Sequence, residues 1–234
     1  MRRLIHFSGA GISAESGVQT FRGPNGLWEG EDPKVIADYD TWKANFDRVH
    51  AFFNGRRMQL AKVEPNAAHF ALAEWATRMP VVTFTQNIDD LFERAGLPDV
   101  CHLHGKLTEM RCEACGTEWD IGYRAFSAGT EQCQNHKCAS KKGIKPNVIF
   151  FGERAPLYQN LYSTLESLTE DDIILVVGTS SRVIDIDSLL DRKPGFKVLV
   201  DTTARCQDPD IYNVTLTMTS GEALPALEEL LAAN

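Results

Sequence analysis

The chain predicts an α/β fold organised on a doubly wound parallel sheet, and three features of the sequence carry that expectation. Short apolar runs recur with little polar alternation, as strands covered on both faces require. Stretches of helical character separate these runs, giving the strand–helix–strand order of a parallel sheet. Most of the runs end in a polar or glycine-rich loop, and ligands of such sheets bind at the carboxyl ends of the strands.

Taken in order, the expected strands are 4–7 (LIHF), 81–84 (VVTF), 148–151 (VIFF), 173–177 (IILVV) and 198–200 (VLV). The expected helices are 66–78, 89–95, about 157–168 and 222–233. With 234 residues, 43% of them hydrophobic, there is enough material for one sizeable core and a small appendage. A net charge of −8 argues against a general nucleic-acid or membrane-surface binder, which needs a positive field. No apolar run approaches the roughly 20 residues that span a bilayer, and the run after Arg3 is too short for a signal-peptide core. A cytosolic setting is therefore expected, where six cysteines read as metal ligands or free thiols rather than disulfides.

The first strand runs into FSGAGISAESGVQTFRG. Gly9 and Gly11 permit a tight turn that peptide N–H groups can present to a ligand, and Ser13, Glu15 and Ser16 suit the opening of a helix. The spacing departs from G-x-G-x-x-G, so by itself the loop could be a glycine turn without a ligand. The second strand ends in Thr85-Gln86-Asn87-Ile88-Asp89, more polar groups than one helix cap uses. His102 and His104 follow. Strand alternation would put both on one face, and chemistry alone does not separate them as a general base.

Cys112-x2-Cys115 and Cys133-x4-Cys138 form two close pairs suited to a closed tetrahedral zinc site, with His136 a competing ligand. Residues 106–145 hold seven Lys or Arg against five Asp or Glu, too slight an excess to demand a nucleic-acid partner. Two further strand ends carry Gly178-Thr179-Ser180 and Asp201, the latter able to accept from ribose hydroxyls and to repel an added phosphate.

In order along nearly the whole chain, GAGISAESGVQTFRG, TQNID, the His104-Gly105 pair, the four cysteines, KPNVIFFGE and GTS resemble the motifs of the sirtuins, NAD-dependent protein lysine deacylases. The resemblance implies an NAD site of Gly9, Ala10, Gly11, Ser13, Ala14, Phe21, Arg22, Gln86, Asn87, Asp89, Gly178, Thr179, Ser180 and Asp201. It implies His104 rather than His102 as the catalytic base, and Cys112, Cys115, Cys133 and Cys138 as ligands of one structural zinc. Ile149, Phe151, Gly152 and Glu153 would lie beside an acylated lysine of a protein or peptide partner. The branch that removes acidic acyl groups carries a tyrosine and an arginine three residues apart. Here Arg56 stands in place, but Phe53 replaces the tyrosine, so acidic groups are expected in reduced degree beside acetyl. After Ser180 the family's proline–alanine pair is absent, so the resemblance does not define the outer adenosine wall around Ser181–Asp187, and Asp201 stands where asparagine is common; NAD is expected over NADP.

The expected architecture is thus Rossmann-like, from 1–30, 75–105 and 146–234, with a smaller domain from a helical insertion (31–74) and a zinc ribbon (106–145). Two other classes are compatible with parts of the sequence: an NAD-consuming hydrolase or ADP-ribosyltransferase, and a non-catalytic zinc-ribbon adaptor.

Overall fold

The computed structural model describes residues 2–20, 32–203 and 210–233, with side chains to 228; Phe21 and Arg22 lie outside the described residues. The chain opens with β1 (Leu4–Ser8), a 3-10 helix (Ala10–Ser16), α1 (Pro33–Ile36), α2 (Phe46–Leu60) and α3 (Ala67–Ala76). It continues through β2 (Val81–Thr85), α4 (Leu91–Arg94), β3 (Cys101–His102), β4 (Gly105–Cys112), β5 (Glu118–Asp120) and β6 (Ile144–Val148). It closes with α5 (Tyr158–Glu166), β7 (Ile173–Val177), α6 (Ile186–Leu190), β8 (Phe196–Asp201), β9 (Val214–Thr217) and α7 (Ser220–Ala233).

Six strands form one parallel sheet in the order β3-β2-β1-β7-β8-β9. The connection reverses direction across the sheet between β1 and β7, the place where such sheets open a crevice. All five residues of β1 and of β7 are buried, so neither strand has an exposed face, and β1 carries even His6 and Ser8 inside. Leu4, Leu72, Trp75, Phe92 and Leu224 fill the core on one face, under α3 and α7; Ile5, Phe7, Leu161, Leu165 and Ile186 fill the other, under α5 and α6. Asn66 starts α3 by accepting from the Ala68 amide, while His69 Nδ1 accepts from the Asn66 amide, so two otherwise orphaned donors are satisfied.

The expected strand at 148–151 does not join this sheet. Its first residue ends β6, which pairs antiparallel with β4 in a separate three-stranded sheet of order β5-β4-β6. Phe151 then makes a lone bridge to Asp38, with its amide on the Ala37 carbonyl at 2.7 Å. An apolar run records burial without naming the partner. Here the partner is the helical insertion, whose Ile36, Trp42, Val49 and Phe53 share a core with Leu107, Val148 and Phe150. A further cluster of Met110, Trp119, Phe126 and Ile144 packs beside Cys112 and Cys133. The edge strand β9, half-exposed and too polar to stand out in sequence, completes the large sheet.

Candidate active site

The glycines after β1 meet a second loop before they meet any ligand. Gly9 and Gly11 donate to the carbonyls of Val177 and Gly178 at 3.0 and 2.8 Å, locking the loop after β1 to the loop after β7. A Cβ on Gly11 would fall 2.6 Å from Gly178 Cα, and one on Gly9 would fall 2.8 Å from Gly178 O. Gly178 itself has φ +55 and faces the Ile12 amide. The sequence expectation that these glycines clear space for a ligand is therefore incomplete, because their smallness first lets two backbones touch. Nor do Ser13, Glu15 and Ser16 open a helix, since the 3-10 helix already begins at Ala10, with Gly9 at its N-cap. They fall within the 3-10 helix, where Glu15 accepts from the Gly221 amide at the start of α7 and Ser13 is wholly buried.

Ser13 is the hinge of a buried polar network. Its hydroxyl donates to Asp89 Oδ2 at 3.0 Å and accepts from Asn87 Nδ2 at 3.0 Å. Burial raises the Asp89 carboxyl to about 6 against the opposing pull of Ser13 and the Leu91 amide. Gln86 reaches across to donate to Thr179 Oγ1 at 2.9 Å, tying the β2 loop to the β7 loop. Asn87 Oδ1 is buried with no hydrogen-bond partner among the described residues.

The two histidines separate where strand alternation put them together. β3 ends at His102, so the pleat does not extend to His104. His102 is buried, with Nδ1 2.8 Å from the Asn87 carbonyl and Nε2 2.9 Å from Glu93, so both ring nitrogens are engaged within the fold. His104 is half-buried with Nδ1 3.0 Å from the Gln86 carbonyl and Nε2 2.7 Å from the Tyr158 hydroxyl. Burial holds the His104 imidazole below its ordinary pKa, opposed by the Gln86 carbonyl, which favours the neutral ring.

A cleft of about 1050 Å³ gathers most of the expected positions. Gly9, Ala10, Gly11, Ala14, Gln86, Asn87, Asp89, Gly178, Thr179, Ser180 and Asp201 line it together with His104. Ile149, Phe151, Gly152, Glu153, Phe53 and Arg56 line it as well. Ser13 does not, since it lies behind Asn87 and Asp89 and supports them. Glu153 is committed locally: it pairs with the buried Lys145 at 3.0 Å and accepts from the Phe150 amide at 2.9 Å, holding the bend after β6. Asp201 accepts from the Thr203 amide and hydroxyl, both at 2.9 Å, which fixes its carboxylate at the strand end. Tyr158 and Gln19 also line the cleft and were not singled out in the sequence, where nothing distinguishes them from a core aromatic and a loop amide.

Away from the cleft, the sulfurs of Cys112, Cys115, Cys133 and Cys138 lie within 4.8 Å of one another. Four thiolates at this separation fit a tetrahedral zinc with no open position, and His136 is not part of the cluster. Among the described residues, no helix is long and apolar enough to cross a membrane.

Comparison with known proteins gives concordant results. Residues 9–185 match the family model described as the Sir2 family. The chain is 42% identical over 207 residues to an NAD-dependent protein deacylase of Helicobacter hepaticus, covering 81% of this chain and 79% of that protein. It is 40% identical over 227 residues to the NAD-dependent protein deacylase Sir2 of Mycolicibacterium smegmatis, covering 96% and 94%. Among solved structures, it superposes on a Sir2 homolog–NAD complex with TM-score 0.84 and 30% identity, covering 99% of this chain and 90% of that one. A point mutant of a Sir2 homologue in complex with ADP ribose gives TM-score 0.86 at 29% identity, covering 99% and 94%.

Proposed function

From the premise that this chain belongs to the Sir2 family, we propose that it removes acyl groups from protein lysine side chains at the expense of NAD. Nicotinamide is released, the acyl group passes to ADP-ribose, and one water is consumed as the amide bond breaks and the lysine is freed. The observation that carries the reading is one imidazole, His104, set in a cleft whose walls come from both expected halves of the site.

The loops after β1, β2 and β7 take the co-substrate. Asn87 and Asp89, braced by Ser13, orient the reacting ribose, and the unpartnered Asn87 Oδ1 accepts from one of its hydroxyls. Gly178–Ser180 and Asp201 hold the adenosine half; a carboxylate there repels a 2′-phosphate and favours NAD over NADP. Ile149, Phe151 and Gly152 border the acyl-lysine, with the aliphatic chain against apolar surface and bulk water kept from the ribose carbon while nicotinamide leaves. His104 takes a proton at Nε2 from a ribose hydroxyl, which frees that oxygen to accept the acyl group. The four cysteines hold zinc as a structural ion with no part in these steps.

The acyl range extends from acetyl to acidic groups in lesser degree, because Arg56 lines the cleft and keeps a buried Nε without a partner among the described residues. Phe53 packs against Phe150 at 5.7 Å, nearly parallel, and offers no hydroxyl. We infer that 31–74 and 106–145 act together as a small domain that presents these acyl-side residues to the nucleotide half.

Incubation with NAD and matched acetyl-, succinyl- and butyryl-lysine peptides, read by mass spectrometry, tests the reaction. The expected outcome is peptide-dependent loss of NAD with deacylated lysine and O-acyl-ADP-ribose. His104→Tyr should lower the rate by roughly 100-fold or more. NAD loss that proceeds without the peptide, leaving acyl-lysine intact, would point instead to a hydrolase.

A further inference from the structure

His104 is held through both ring nitrogens, and the second contact has a chemical consequence. The Gln86 carbonyl can only accept, so in the neutral ring the proton sits on Nδ1 and the lone pair sits on Nε2. The Tyr158 hydroxyl, 2.7 Å away, therefore donates to the same nitrogen that receives the proton in the reaction proposed above. No other hydrogen bond to this hydroxyl occurs among the described residues. Burial pushes the Tyr158 phenol up to about 12, so it remains a donor across the working pH range. Its ring is fixed on the first turn of α5, edge-on to Tyr162 at 6.3 Å and packed against the core that contains Leu161.

We propose that Tyr158 is a positioning residue whose hydroxyl caps and aims the base nitrogen of His104 in the free enzyme, and that the ribose hydroxyl takes its place in the complex. This rests on the deacylase reading, since it needs His104 to be the base. A hydroxyl that donates to Nε2 stabilises the neutral imidazole; once that nitrogen is protonated the hydroxyl must turn and accept from it, and a phenol oxygen is a weaker acceptor than its O–H is a donor. Tyr158 accordingly favours the basic form of His104 before the co-substrate arrives and ceases to act on it afterwards.

The two states are read separately by kinetics: kcat/KM reports ionisations of the free enzyme and kcat those of the complex. In Tyr158→Phe, which keeps the packed ring, the acid limb of kcat/KM for NAD should move to higher pH by about 0.5–1 unit, while the acid limb of kcat stays. A ring-15N NMR titration of His104 in the ligand-free protein, assigned by its disappearance in His104→Gln, should show the same upward shift. An unchanged NMR titration overturns the proposal, and so does an equal movement of both kinetic limbs, which would mark a general disturbance of the site. If the wild-type protein deacylates no peptide, the functional reading fails instead, and the NMR arm alone then decides whether Tyr158 controls the His104 proton.

Discussion

Arg56 is a cation that the fold places at the edge of an apolar wall, with no carboxylate among the described residues bonded to it. Its Nη1 donates to Gln19 Oε1 at 2.9 Å, its guanidinium lies over the Phe52 ring at 5.3 Å, and Nε has no partner among the described residues. Burial pulls its pKa down, the mark of a charge that loses water with no carboxylate among the described residues to compensate. A dicarboxylic acyl group would supply that carboxylate, and the planar guanidinium can grip it with two parallel bonds. Arg56→Ala should therefore lower kcat/KM for a succinyl-lysine peptide by about tenfold or more and leave the acetyl-lysine value within about twofold. Equal losses for both peptides would remove Arg56 from the acyl pocket. Gln19 enters this contact from the loop before the undescribed segment, and no spacing rule pairs a loop amide with an arginine 37 positions away.

At the scale of elements, the decisive contact is between two turns. The loops after β1 and β7 touch through Gly9, Gly11 and Gly178, with backbone hydrogen bonds of 2.8 to 3.0 Å and no room for a Cβ. Gly11→Ala forces a methyl against main chain that cannot rotate away, so it should lower the melting temperature and weaken NAD binding by calorimetry. Gly55, in the interior of α2 with nothing within 4 Å of an added Cβ, is the control. Gly55→Ala should stabilise by about 0.5–1 kcal/mol through the helix propensity of alanine. If both substitutions shift the melting temperature alike, the loop contact is not what these glycines serve. The same contrast explains what the sequence made legible. Strand ends, helix starts and the cysteine pairs follow from local rules of period, capping and ligand spacing, and β1, β2, β7, β8 and α3 fall where those rules put them. The antiparallel pairing of β6, the single bridge at Phe151 and the approach of Tyr158 to His104 depend on segments distant in the chain. Apolarity signals that Phe150 and Val148 are buried, but the choice between a parallel sheet and a helical insertion is made by packing.

At the scale of the whole molecule, one strand joins the four-cysteine cluster to His104, the proposed base. β4 begins at Gly105, immediately after His104, and ends at the zinc ligand Cys112, eight residues or about 26 Å of strand. At its near end the His104 carbonyl accepts from the Ile149 amide at 2.9 Å, and a Cβ on Gly105, where φ is +80, would lie 1.9 Å from Asn147 O. The imidazole and the acyl-side segment are therefore fixed by the first rungs of the same small sheet. At its far end the Cys112 amide bonds to Thr117 O at 2.8 Å and the Glu113 amide to Gly143 O at 2.7 Å, both within loops that the thiolates draw together. Cys112, Cys133 and Ile144 share a core with Trp119 and Phe126, small enough that the metal supplies much of its stability. The nucleotide loops, in contrast, are anchored by β1, β2 and β7 of the large sheet, which has no zinc ligand. Removing zinc with a strong chelator should then divide the two functions. Peptide deacylation falls at least tenfold as the β4–β6 pairing loosens and His104 loses its aim, while NAD binding by calorimetry survives within about tenfold. Added Zn²⁺ restores turnover if the small sheet refolds. Full deacylation by protein verified as zinc-free would show that β4 holds the base without help from the cluster.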